Sequence, residues 1–96
     1  MFDIIIKPAA LSMLDEAYSW YEDELTGLGE RFLQEMDIAF NKLSTAPFAY
    51  SFLQENYRQL LLKRFPYKII FEIIKNEVVV YAIFHMARSH SDSFLD

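Results

Sequence analysis

The sequence predicts one α+β domain over residues 1–96: an N-terminal strand, then an antiparallel helical hairpin packed on a small, mainly antiparallel sheet, in the order β-α-α-β-β-β. Three observations predict it. Residues 9–43 carry two runs of helical periodicity separated by the chain's two glycines, Gly27 and Gly29. Arg58 to Arg88 carries three runs of β-branched, aromatic and aliphatic residues, broken by Pro66 and by Lys75-Asn76-Glu77. At 96 residues and 53% hydrophobic, the chain is long enough for a single core and too short to suggest a second domain.

Phe2 to Lys7 is an apolar run closed by Pro8, which fits a first strand ending where a helix begins. Proline suits a first helical turn because its missing N–H would be unpaired there. Leu11, Leu14, Tyr18, Tyr21 and Leu25 then recur three and four apart, with Ala10 and Ala17 widening the stripe. Met13, Trp20 and Glu24 lie off it. Trp20 either packs at the sheet edge as a core residue, the favoured reading, or marks a contact for another protein. Thr26-Gly27-Leu28-Gly29 reads as a tight turn between helices. The second helix places Phe32, Met36, Ala39, Phe40 and Leu43 on one face and fades at Ser44-Thr45-Ala46-Pro47.

Phe48 to Tyr57 shows no clean period and reads as an irregular connection with at most one helical turn, its aromatics tucked under the sheet. Strands follow at Arg58–Arg64, Tyr67–Ile74 and Val78–His85. In the middle one, Ile69, Phe71 and Ile73 alternate with Lys68, Ile70, Glu72 and Ile74, a mainly buried strand with its polar residues on one face. An apolar edge at Val78-Val79-Val80 would invite pairing or covering.

Composition narrows the function. No cysteine is present, which removes a disulfide framework, a thiol nucleophile and a thiolate zinc site, and two histidines make no case for a metal. No cofactor is expected. The start MFDIIIKPAA lacks a basic segment ahead of an apolar stretch, so no signal peptide is read there, and no apolar run approaches a membrane span. A cytoplasmic protein without membrane contact is expected. The net charge of −5 argues against direct DNA binding. It is unevenly spread, with ten acidic against three basic residues up to Tyr57 and six basic against four acidic from Arg58 onward.

Several pieces recur in one order: Pro8 and Ala17 at the first helix, Trp20-Tyr21, Gly27-Leu28-Gly29 with Arg31-Phe32, Pro47 after the second helix, Arg58, Arg64-Phe65-Pro66-Tyr67, and His85 with Arg88. Over nearly its whole length the chain resembles the RelE/ParE superfamily of toxins from type II toxin–antitoxin systems, on the ParE-like side. The resemblance implies a plasmid-stabilisation type of toxin neutralised by a cognate antitoxin, an extended or helical segment of which wraps across it. ParE-like toxins act on DNA gyrase, whereas RelE-like relatives cut messenger RNA on the ribosome. Fold alone does not choose between these activities.

Cleavage without a metal needs a base for the 2′-hydroxyl, a cation for the charged phosphorane and an acid for the leaving oxygen. His85 suits base or acid, and Arg64, Lys68 and Arg88 suit the phosphate. Lys68 and Arg88 stand near positions where RelE-like nucleases place catalytic cations. Leu60, Leu61 and Leu62 replace the lysines of those enzymes, and Phe94 stands near their tyrosine. The leading expectation is therefore a toxin acting by protein contact, with Trp20, Arg58, Arg64, Tyr67 and Arg88 as candidate residues for antitoxin or target. The alternatives are a RelE-like nuclease and a non-toxic antitoxin-binding module.

Overall fold

The computed structural model describes residues 1–87. Its elements are β1 (Asp3–Ile6), α1 (Pro8–Glu24), α2 (Leu28–Thr45), a 3-10 turn (Pro47–Ala49), β2 (Phe52–Gln54), β3 (Tyr57–Leu61), β4 (Tyr67–Ile74) and β5 (Glu77–His85). The five strands form one sheet in the order β1-β5-β4-β3-β2. All neighbours are antiparallel except β1 and β5, which run parallel with Ile4 opposite Val78 and Ile6 opposite Val80.

This β-α-α-β-β-β order is the one predicted, with one added strand. The connection read as irregular contains β2, which pairs with β3 through a turn at Glu55-Asn56. Glu55 there has φ +48°, a left-handed conformation that glutamate does not advertise, and Asn56 was the only turn-favouring residue of the pair. The aromatics of that segment also divide. Tyr50 packs on the core beside Phe71, but Phe48 and Phe52 are exposed rather than tucked under the sheet. Val78 to Val80 is no edge, because β1 pairs along it.

Both helices cover one face of the sheet. Phe32, Met36 and Leu43 of α2 and Ala10 and Ala17 of α1 share a core with Leu60, Tyr67, Ile69, Phe71, Val78, Val80 and Ile83. Ile70, Val79 and Ala82 are buried on the opposite face. In α1 the buried line is Ala10 and Ala17 flanked by Met13, Leu14 and Tyr21, so the predicted stripe is rotated. Leu11 and Leu25 are left exposed, and so is Trp20, which is 53% exposed where a core position was favoured. Small residues at the centre of the contact let the helix backbone approach β5 closely. Met13 then reaches the strand, its sulfur accepting the Ile83 N–H at 3.4 Å, beyond the last pair of β1.

A bulge in β5 places Ala82 opposite Ile70 and Val80 opposite Phe71, leaving Tyr81 as the extra residue. Tyr81 donates its hydroxyl to Glu72 Oε1 at 2.9 Å. Burial, with the Glu72 hydrogen bond and charge adding to it, pushes the Tyr81 phenol up to about 12. A pKa raised above the unfolded value, about 10 for tyrosine, adds stability that is whole below pH 10 and is lost as pH rises through 12. In an alkaline titration followed by tyrosinate absorbance, Tyr81 is expected to ionise near pH 12, above the ordinary tyrosine range. Tyr81→Phe should remove that step and flatten the stability loss between those values.

Candidate functional site

Four rings bind the two helices to the bend that joins β3 and β4. Tyr21 of α1 and Phe32 of α2 each pack against Phe65 and Tyr67, with centroid separations of 4.9 and 6.1 Å for Tyr21 and 5.3 and 5.2 Å for Phe32. Edge-on aromatic contacts of this kind hold a fixed geometry as well as burying area. Phe65 is thus the anchor of the bend, and the two residues before it, Lys63 and Arg64, are exposed. Backbone bonds complete it, from Tyr67 N–H to the Phe65 carbonyl at 2.8 Å and from Met86 N–H to the Pro66 carbonyl at 2.7 Å.

Of the residues named for RNA cleavage, His85 and Lys68 lie on opposite faces of the sheet. His85 pairs with Tyr67 in the ladder, on the helix-covered face, and its ring lies edge-on to Tyr67 at 5.0 Å. Its Nδ1 accepts the Ala87 N–H at 3.1 Å, which places the proton of the neutral ring on Nε2. Lys68 is the next residue along the strand and pairs with Phe84, so it projects from the opposite face. Arg64 lies in the bend. Arg88 and Phe94 lie outside the described residues.

The contact candidates are also dispersed. Tyr67 is buried at 4% exposure, inside the ring cluster. Arg58 pairs with Phe71 and therefore faces away from Glu72. Its guanidinium instead lies 3.9 Å from the Phe52 ring centroid and 5.4 Å from that of Phe48. It donates to the Tyr50 carbonyl at 2.6 Å and the Phe48 carbonyl at 3.4 Å, so it fixes the start of β2. Trp20 and Arg64 are exposed.

A groove that the sequence reading missed runs along α2. Leu28, Arg31, Glu35, Ile38, Lys42 and Thr45 recur three and four apart on its outward side, and successive hollows share these residues from one end of the helix to the other. The middle section, about 410 Å³, has Leu60, Leu61 and Leu62 of β3 and its following bend as its other wall, with Tyr50 at one end and Lys63 and Arg64 at the other. Arg64 also joins Arg31 and Phe65 around the next hollow. Two signals were present in the sequence. Ile38 is apolar on the side of α2 turned away from Met36, and in a run of three leucines strand alternation must send the middle one, Leu61, away from the core.

Among the described residues no cluster of three potential metal ligands occurs, and no helix is long and apolar enough to cross a membrane. Residues 4–90 match the family model described as the ParE toxin of the type II toxin–antitoxin system parDE. Among solved structures, the chain is similar to one titled as the chromosomal ParDE TA system from P. aeruginosa, with a TM-score of 0.78 and 18% sequence identity over 88% of this chain and 96% of that one. At that identity the likeness is one of fold. No curated protein matches the sequence.

Proposed function

The chain belongs to the ParE toxin family of type II toxin–antitoxin systems, and from that premise we propose that it arrests growth by binding DNA gyrase as a protein ligand and that a cognate antitoxin neutralises it. The observation that carries the contact reading is the placement of Lys68 and His85 on opposite faces of the sheet. A base and a cation must meet at one phosphate to cleave RNA, and these two face apart. Trp20 on α1 and Arg64 in the bend supply exposed contact residues for the antitoxin.

The test is induced expression in bacteria without the antitoxin, following growth, messenger RNA integrity and plasmid supercoiling in one culture. The expected result is arrest with intact RNA and disturbed supercoiling. Codon-phased cuts in messenger RNA, lost in His85→Gln, would replace this reading with a ribosome-dependent nuclease. Normal growth with folded protein would replace it with a non-toxic antitoxin-binding module.

A further inference from the structure

We propose that β1 is a docking edge for a second copy of this chain, the two strands running antiparallel about a two-fold axis at Ile5, so that two five-stranded sheets join edge to edge. The sheet ends at β1, and the pairing with β5 fixes which backbone groups are spare. Asp3 N–H bonds to the Asn76 carbonyl and Lys7 N–H to the Val80 carbonyl, each at 3.0 Å. Alternation along the strand therefore turns the N–H and C=O of Ile4 and Ile6 outward, away from β5. Phe2 N–H, on the same outer side, is taken by the Ser44 carbonyl at 2.8 Å, and Pro8 has no N–H and opens α1. The open length is Ile4 to Ile6.

This edge is complementary to itself reversed. Residues 3–7 read Asp-Ile-Ile-Ile-Lys. Antiparallel pairing centred on Ile5 sets Ile4 opposite Ile6 of the second copy, and Ile6 opposite its Ile4. Those are the residues with spare groups, so both pairs exchange backbone hydrogen bonds in each direction. Ile5 then meets its own equivalent, and Asp3 meets Lys7 at both ends. Asp3, Ile5 and Lys7 are exposed, and they share the sheet face away from the helices, since Ile4 and Ile6 pack against the core. Asp3 already stands beside Glu77 of β5 on that face, a like-charge pair that a lysine from outside relieves. A register shifted by two residues would set a charge opposite isoleucine, and parallel pairing would set Asp3 beside Asp3. Charge complementarity thus selects a second copy, in one register.

The other edge of the sheet is not built this way. β2 has three residues, and its register with β3 shifts between Phe52 and Gln54, an irregularity of the kind that blunts an edge. β1 pairs with β5 without interruption from Asp3 to Ile6. An apolar, regular edge is the one that strand pairing uses. Because it rests on a single short strand, the interface is small and the association weak.

The test is sedimentation equilibrium of the full chain alone, from ~10 to ~500 μM, a range suited to a weak interface. The wild type is expected to pass from monomer toward dimer. Asp3→Lys and Lys7→Asp, each alone, set like charges opposite one another at both ends of the pairing and should weaken association by roughly tenfold or more. Neither should lower the thermal midpoint of the monomer, since the first gives Glu77 an opposite charge and the second places an acid at the N-cap of α1. The double variant exchanges the two charges and should restore association. A wild type that stays monomeric overturns the proposal and leaves the edge to a strand of another protein. Single variants that both associate within about twofold of the wild type overturn it in favour of another surface, and a double variant no better than the singles overturns the register on which it rests.

Discussion

Replacing Phe32 by alanine is expected to remove about 3–5 kcal/mol of folding stability, the range for deleting a buried phenyl ring. Phe32 is fully buried and meets three rings, those of Tyr21, Phe65 and Tyr67. Those partners come from α1, the bend and β4, so the cavity cannot close by moving one element. A domain of this size has about 5–15 kcal/mol in total, so the loss takes a large share of it. In urea the midpoint should fall by about 2 M, with an unchanged slope if unfolding stays two-state. Phe32→Leu, which keeps most of the volume, should cost markedly less; equal losses for the two would mean that the ring contacts, which leucine cannot make, carry the whole effect.

Gly29→Ala is expected to cost about 2–4 kcal/mol, more than a helix-surface glycine replacement has any right to, because helix propensity alone favours alanine. A Cβ at Gly29 would stand 2.8 Å from Tyr18 Cε1 and 2.9 Å from Glu22 Oε1. That carboxylate is the cap of α2: Glu22 Oε2 accepts the Gly27 N–H and Oε1 the Gly29 N–H, both at 3.0 Å. A carboxylate borrowed from α1 thus satisfies donors that every helix start leaves open, and favours the positive end of the helix dipole. Tyr18 joins the group by donating to Glu30 Oε2 at 3.3 Å, and its phenol is raised by desolvation and then by the charges of Glu30 and Glu22. Gly27, with φ +91° and nothing within 4 Å of a built Cβ, should lose only about 1 kcal/mol on change to alanine, from backbone strain. Thermal unfolding of Gly29→Ala, Glu22→Ala and the double variant checks the account. The two losses should overlap rather than add, and full additivity would mean the clash and the cap are separate.

Legibility in the sequence followed the strength of the physical signal. Both helices, the glycine turn and the strands from Tyr57 onward were readable because periods of 3.6 and 2 ran through Phe32 to Leu43 and through Lys68 to Ile74. The rotation of α1 was not, since a hydrophobicity count ranks Leu11 above Ala10, whereas close packing on β5 rewards the smaller side chain. The hairpin of β2 and β3 was hidden by Glu55 in a glycine-like conformation. The family pieces were readable as a set of positions, but their grouping was not: Arg58 and Arg64 look alike in sequence, and one clasps Phe48 and Phe52 while the other borders the groove. Lys68 and His85 share a neighbourhood in the ladder, and only strand register puts them on opposite faces.

The parallel pairing of β1 with β5 also sets the order in which the protein can be completed as it is made. Residues 3–6 are made well before their partners at 77–80. The helical hairpin, whose contacts are local, can form during translation, while β1 waits with its apolar side chains unsheltered. Closing a loop of this length is slow compared with turn or helix formation. The sheet is therefore completed only once residues 77–80 have been made, and a product terminated before Val78 carries the whole hairpin but no seat for its first strand.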